Sequence, residues 1–395
     1  MSGVISLLAA LCLAIAVAGC ACVVLEAVAV ADFGRRRRRA LQSTDSVARA
    51  AGVTLLKPLH GAEPGLYESL VSFVAQDFEG PVQLLFGVSD AADPALAVVR
   101  RLQLEWPGKV IDLVVSPRAV DGNAKIANLA GMSTSIRHDL VVLSDSDIRV
   151  PADYLRRTVG LLGQERVGLV TWLYRGESAG GLWSLLSAMA IDTHFFPSVL
   201  LGVKLARAHP CVGATMAFSR QTLAAIGGFR AFANHLADDH AIGEAVRRLG
   251  LGVVIAPDVV VHRCLETTGA DLVQHELRWA RTIRSIDPWG FAGSFVMHPL
   301  PFALAAALLS GFGMAGTAAL AVALLCRLGL QWQVDRVLVS RPEFSFGRLL
   351  LGPVRDILSF AVFCASFLTG VVVWRGRRYR VGADGTMAEV KGPGS

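Results

Sequence analysis

The stretch VVLSDSDIRVP, Val141 to Pro151, closes an apolar run with two carboxylates two residues apart. In an extended chain alternate side chains share a face, so Asp145 and Asp147 point the same way. Like charges side by side repel unless a cation or a proton lies between them. A solvated turn with an Asx cap accounts for the same letters, so the surroundings decide.

Around this stretch, short apolar runs alternate with helical patterns between Gly52 and about Gly290. Strands are expected at Val53–Lys57, Val82–Val88, Val110–Ser116, Leu140–Ser144, Val167–Tyr174, Ala214–Ser219 and Val253–Ala256. Helices are expected at Leu66–Gln76, Asp93–Glu105, Ile126–Ser135, Ala152–Leu162 and Asp239–Leu249. This alternation predicts an α/β domain with a mostly parallel sheet. Ligands of such sheets bind outside the carboxyl ends of the strands. Lys57, Asp90, Asp93, Asp145 and Asp147 all fall at such ends.

Three other stretches carry chemistry. In HLADDHAIGEAVRRLG, His235 to Gly250, a helix starts near Asp238 or Asp239. One aspartate caps its amides; a second leaves a carboxylate that the helix dipole keeps ionised, as a general base for an alcohol must be. In HELRWARTIRS, His275 to Ser285, the residues His275, Arg278 and Trp279 share a helix face. That face suits either an anionic or sugar ligand or an amphipathic helix at headgroup level. In DGNAKIANLA, Asp121 to Ala130, Lys125 opens a helix after a strand, where amides and dipole favour a phosphate.

The ends are of another kind. Hydrophobic residues make up 53% of the 395-residue chain and charged residues only 18%, which excludes an ordinary soluble protein. From Val4 to Ala31 the only ionisable side chain apart from thiols is Glu26, a run long enough to span a bilayer. Val17-Ala18-Gly19-Cys20 resembles a lipoprotein cleavage box, but no basic residue precedes the run and it continues past Cys20, which favours a retained anchor. Arg35 to Arg39 follow at once, and a basic cluster beside a span marks the cytoplasmic side. Pro299 to Cys326 and Ile357 to Trp374 are two more apolar segments, the second followed by WRGRRYR, Trp374 to Arg380. Three crossings place both basic clusters inside, although Arg327, Arg336, Arg341 and Arg348 then fall in an outer loop, and Gly311 with Gly313 can break the second segment into a re-entrant pair. Arg355-Asp356 is expected as an interfacial pair. The net charge of +6 comes largely from the two clusters, so no nucleic-acid partner is implied. The seven cysteines lack zinc-like spacing and suit a reducing compartment.

The pieces LLKPLHG (Leu55–Gly61), SDAADPA (Ser89–Ala95), GNAKIANL (Gly122–Leu129), LSDSDI (Leu143–Ile148), LADDHAIG (Leu236–Gly243) and HELRW (His275–Trp279), in this order, resemble the ceramide glucosyltransferase-like branch of family 2 glycosyltransferases. Within it the chain is most similar to the bacterial hopanoid-biosynthesis-associated glycosyltransferases. The resemblance implies a GT-A-type nucleotide-sugar-binding domain, with one N-terminal and about two C-terminal transmembrane helices. It implies a UDP-sugar donor, with Lys57, Asp93, Lys125 and Asp145 as nucleotide-sugar contacts. Asp145 and Asp147 are the implied ligands of a divalent metal, Mg²⁺ or Mn²⁺, and Asp239 the implied base. Asp238, His275, Arg278 and Trp279 are the implied acceptor or diphosphate contacts. Position 275 departs from the family, which has Gln or Arg there.

The expected division is an anchor over 1–34, a basic linker over 35–50, a cytoplasmic catalytic domain over 51–290, a membrane region over 291–380 and a tail over 381–395. The expected reaction is inverting transfer of one sugar to a membrane lipid: N-acetylglucosamine to a bacteriohopanetetrol-type hopanoid, or glucose to ceramide. The expected place is the bacterial inner membrane. Gly181 to Gly202, unusually apolar, is either a lipid entry dipping into the interface or a buried core helix. A processive polysaccharide synthase is the rival enzyme and a transporter or scaffold the non-enzymatic rival.

Overall fold

Runs of Val, Leu and Phe without polar alternation form strands buried on both faces, the pattern of a parallel sheet. The computed structural model, which describes residues 2–42, 51–116, 122–338, 346–374, 377–382 and 385–390, has such a sheet at its centre. Its strands are β1 (Val53–Pro58), β2 (Val82–Val88), β3 (Val110–Val115), β4 (Leu140–Ser144), β5 (Ile148–Arg149), β6 (Val167–Ser178), β7 (Thr215–Ser219) and β8 (Gly252–Cys264). They lie in the order β3-β2-β1-β4-β7-β6-β8-β5. β7 runs antiparallel to β4 and β6, and β5 antiparallel to β8; the other pairings are parallel.

Alternate residues of each strand feed two cores. Leu55, Leu84, Phe86 and Val142 pack on one face with the helices Leu66–Val74, Ala95–Glu105 and Tyr154–Leu162. Leu56, Leu85, Val141 and Leu143 pack on the other with Ala124–Met132 and Asp238–Arg248. From β1 the chain steps outward to β2 and β3, then returns to place β4 on β1's other side. The crevice between β1 and β4 is therefore the topological switch point, where ligands of open α/β sheets bind.

The expected strands and helices of this domain are present. β8 extends to Cys264, well beyond Ala256, and β5 was not expected: at two residues it is too short to carry a pattern. Gly181 to Gly202 forms the helices Leu182–Ala190 and Phe196–Lys204 joined by a π-helical turn, Ile191–Phe195. Buried Leu186 and Met189 pack there against Leu272.

The terminal segments differ more. The first helix, Ser2–Gln42, continues through the basic cluster, and Arg37 bonds Asp258 of β8 at 2.5 Å. Among the described residues four helices are long and apolar enough to cross a membrane: Gly3–Gln42, Leu182–Lys204, Met314–Leu338 and Gly347–Ser366. The segment expected as one span, Pro299 to Cys326, is two helices, Pro299–Leu309 and Met314–Leu338, folded into a hairpin. Gly311 at φ +61° and Phe312 at φ +58° break it, since the left-handed region cannot continue a right-handed helix. The hairpin packs on the first helix, where Gly19 lets Val296 and Pro299 approach; an added Cβ would lie 2.6 Å from the Val296 carbonyl oxygen. The last helix spans Phe346–Ser366, not Ile357 to Trp374.

Nor are Arg355 and Asp356 an interfacial pair. Arg355 is fully buried and grips Glu276 with two bonds of 2.7 Å, while Asp356 takes two bonds of 2.8 Å from Arg327. Strands stand where the end of the membrane region and the start of the tail were expected. β9 (Val371–Trp374), β10 (Arg377–Val381) and β11 (Met387–Glu389) form an antiparallel sheet in the order β11-β10-β9. Arg341 and Asp121 lie outside the described residues.

Candidate active site

The turn after β4 carries Asp145 and Asp147 to the switch point. Lys57, at the end of β1, holds that turn from beneath: its Nζ lies 2.6 Å from the Asp145 carbonyl oxygen and 3.4 Å from that of Ile148. The ammonium also sits 3.7 Å from the centre of the Phe73 ring. Burial lowers its pKa to about 7, against the pull of Asp147 and Asp145. With 1% exposure, Lys57 touches the underside of the turn and not the open crevice.

Lys125 gathers the site. It stands in the first turn of Ala124–Met132, whose N-cap Asn123 accepts the Lys125 and Ile126 amides. Its Nζ lies 2.6 Å from Asp145 Oδ1 and 3.6 Å from Asp238 Oδ2. One cation thus joins the end of β4 to the start of helix Asp238–Arg248. Burial opposes that charge, but Asp145, Asp238 and Asp239 outweigh it and hold the Lys125 pKa above its ordinary value. Asp145 is raised by burial, with Asp147 adding to the shift and Lys125 opposing it.

Asp239 is held by backbone. The Gly213 amide donates to Oδ2 at 2.8 Å and the His240 amide to Oδ1 at 2.8 Å. A carboxylate has about four lone-pair sites, so acceptor capacity remains on both oxygens. Burial first, and then the neighbouring Asp238, push its pKa up to about 6.

Asp147 differs from its neighbours. Its Oδ2 lies 3.5 Å from His262 Nδ1, and its Oδ1 is buried with no hydrogen-bond partner among the described residues. An orphaned carboxylate oxygen is costly unless something else binds it. Among the described residues no three His, Cys, Asp or Glu side chains converge closely enough to cage a cation. A metal held here would take the rest of its ligands from another molecule. A pair of carboxylates with open positions fits Mg²⁺ or Mn²⁺ shared with a phosphate ligand.

The remaining expected residues separate into two places. Asp93, buried after β2, accepts the Gly61 and Ala95 amides at 2.9 Å each, tying the loop after β1 to the helix Ala95–Glu105. His275, Arg278 and Trp279 lie on Gly269–Ile286, which opens with a Thr268–Asp271 capping box. The His275 ring is 4.4 Å from the Trp279 ring, and its Nδ1 bonds Glu266 at 2.6 Å. Trp279 faces His262 at 6.3 Å, and His262 faces Tyr174 at 5.4 Å, an aromatic wall leading toward Asp147. Tyr174 in turn stacks on Phe195 of the π-helical turn at 5.0 Å.

Sequence reasoning missed His262, Tyr174 and Gly213. His262 and Tyr174 lie in long apolar strands and Gly213 in a loop, with nothing local to single them out. The asparagine beside Lys125 was expected to reach a phosphate; Asn123 is the N-cap of that helix.

An open, mostly parallel sheet with acidic groups and a lysine gathered at its switch point is built to take a charged ligand there. The chain belongs to glycosyl transferase family 21, whose sequence model matches residues 11–387. Ceramide glucosyltransferase 1 of Caenorhabditis elegans is 23% identical over 86% of this chain and 74% of its own length. Ceramide glucosyltransferase 3 of the same organism is 22% identical over 86% and 75%. Among solved structures, the mannosyltransferase PcManGT from Pyrobaculum calidifontis, in complex with GDP-Man and Mn²⁺, overlaps at a TM-score of 0.47 with 20% identity over 90% of this chain and 98% of its own.

Proposed function

We propose that this glycosyltransferase moves a single sugar from a UDP-sugar to the hydroxyl of a membrane lipid, with inversion at the anomeric carbon. The observation that carries the proposal is Lys125, bonded to Asp145 on the donor side and close to Asp238 beside the base. Asp145 and Asp147 would hold a divalent cation, which would supply positive charge to the leaving diphosphate.

The chain's own residues do the rest. Lys57 fixes the turn that bears both carboxylates, a positioning role in place of the nucleotide contact expected of it. Asp93 fixes the adjoining loop. Asp239 accepts the proton of the lipid hydroxyl as its oxygen attacks the anomeric carbon and the bond to the diphosphate breaks. A base with a pKa near 6 is mostly ionised at neutral pH and stronger than an ordinary carboxylate. Its two backbone amides aim it without neutralising it. His275, Arg278 and Trp279 line the side where diphosphate or acceptor lies.

Apolar helices at both ends and ceramide glucosyltransferases among the relatives support a lipid acceptor. The finer assignment is N-acetylglucosamine to a bacteriohopanetetrol-type hopanoid at the bacterial inner membrane. Glucose to ceramide is the second reading, favoured by the relatives' substrate. Membranes containing the protein, incubated with a panel of UDP-sugars and with hopanoid or ceramide acceptors, should yield lipid carrying one added sugar by mass spectrometry, an N-acetylhexosamine on the first reading and a hexose on the second. A polymeric product, or no transfer from any UDP-sugar, would remove the proposal.

The membrane arrangement we infer differs from three crossings. The hairpin Pro299–Leu309 and Met314–Leu338 enters and returns, and the helix Phe346–Ser366 lies along the interface. Its exposed Leu350, Val354 and Ile357 recur on one face, while Arg355 on another is buried against Glu276. Arg348 near its start reaches Asp192 at 2.8 Å, and beyond its end Thr369 accepts from Arg284 at 3.0 Å. Both ends therefore lie on the catalytic domain's side. Arg336 and Arg348, which three crossings would leave outside, then return to the cytoplasmic face, as the charge rule favours.

A further inference from the structure

Residues 385–387, in the segment expected as a tail, join by their backbone the loop that carries the base. The Leu236 amide donates to the Gly385 carbonyl at 3.0 Å, and the Met387 amide donates to the Asn234 carbonyl at 2.7 Å. Between these bonds His235 and Thr386 form an antiparallel bridge. Asp238 and Asp239 follow immediately, at the start of their helix.

The same loop is held from its other side. The Asn123 amide donates to the Ala233 carbonyl at 2.7 Å, and its side-chain Nδ2 donates to the His235 carbonyl at 2.9 Å. Residues 233–236 are thus gripped between the Lys125 helix and the tail. The tail is itself anchored. Tyr379 and Val381 are buried, β9 to β11 form one sheet, and Arg281 bonds the Val371 carbonyl at 3.0 Å from the helix that bears His275, Arg278 and Trp279.

We propose that the C-terminal strands β10 and β11 act as a strap that sets the position of Asp239, so that the base is in register only when the tail is docked. Gly385, Thr386 and Met387 are positioning residues: they act through the backbone of 234–236 and touch no reacting atom. The tail also links the base loop to the helix facing the acceptor. Displacing a catalytic group by about 1 Å can cost on the order of 100-fold in rate.

The activity part of this proposal rests on the sugar-transfer reading; the docking part does not, and the two are tested separately. Met387→Pro removes the amide that bonds Asn234, while Met387→Ala keeps it. A second variant ends the chain at Gly382. In full-length protein in nanodiscs, hydrogen exchange at residues 233–241 should accelerate at least tenfold in Met387→Pro and in the truncation, while residues 269–286 and Met387→Ala stay as in the parent. With UDP-sugar and lipid acceptor, kcat should fall about 10- to 100-fold in both disrupted variants with UDP affinity within about twofold, and an added peptide of residues 377–390 should restore part of it to the truncation. Unchanged exchange at 233–241 would overturn the strap itself. Faster exchange with kcat unchanged, or a kcat loss matched by an equal loss of UDP affinity, would overturn its role in placing the base. If the parent transfers no sugar, the enzyme reading fails while the exchange result still decides the docking.

Discussion

Replacing Asp147 by Asn separates stability from function at one atom. In the folded protein Asp147 Oδ1 is buried with no donor among the described residues, and Oδ2 has only His262 at 3.5 Å. Asparagine therefore forfeits no strong hydrogen bond. It also removes one of two neighbouring negative charges, a repulsion that contributes to the raised pKa of Asp145, and with it the attraction that Asp147 exerts on the buried Lys57 ammonium. Leaving a buried polar atom unpaired costs about 1–3 kcal/mol, more for a charged one. The side chain is 27% exposed, which reduces the expected gain to about 1 kcal/mol at most. The relieved repulsion and the lost attraction to Lys57 oppose each other, so D147N in detergent or nanodiscs should unfold within about 1 kcal/mol of the parent. Sugar transfer should change far more. Loss of a cation ligand facing the diphosphate removes about 3–5 kcal/mol of transition-state stabilisation, about 10²- to 10⁴-fold in kcat. The assay pairs thermal unfolding with initial rates from radiolabelled UDP-sugar at saturating Mn²⁺. A variant that unfolds well below the parent, or one that keeps more than a tenth of the parent rate, would refute the assignment of Asp147 to cation binding.

Three further outcomes follow from the same geometry. If Asp239 is the base, kcat/KM should fall about tenfold between the plateau and pH 5, because a group with pKa about 6 loses its charge there, whereas an ordinary aspartate near 3.9 would keep it; a flat profile down to pH 5, with the protein still folded, contradicts the assignment. Lys125→Met leaves Asp145 and Asp238 without their shared cation, so stability should drop by about 2–3 kcal/mol, allowing for partial exposure, and transfer should be lost; a denaturation midpoint equal to the parent's would show that Lys125 does not join them. A cysteine introduced as Arg336→Cys in an otherwise cysteine-free protein should react with an impermeant maleimide in inside-out vesicles only; labelling in right-side-out vesicles would restore three crossings.

The sequence by itself determined the α/β domain. β2 and β4 lie at the expected bounds, because strands buried on both faces must be continuously apolar and helices must repeat near 3.6 residues. It also placed Asp145, Asp147 and Asp239 in local patterns of acids at strand ends and helix starts. The ceramide glucosyltransferase-like resemblance, resting on six short motifs in order, agrees with the family to which the chain belongs.

Tertiary structure alone decided what those side chains touch. Lys57 stands at a strand end as a ligand contact would, yet its ammonium points under the turn, since alternation gives a side chain a face and not a partner. Lys125 meets Asp145 and Asp238 across about twenty and more than a hundred residues of sequence, and no spacing encodes that. Arg355 and Asp356 are adjacent and form no pair, because a helix turns successive residues to different faces. Composition marks a segment as apolar but not whether it crosses, returns or lies flat. The break at Gly311 and Phe312, the buried arginines and the return of β11 to the base loop depend on contacts between distant segments, which exist only once the chain has folded.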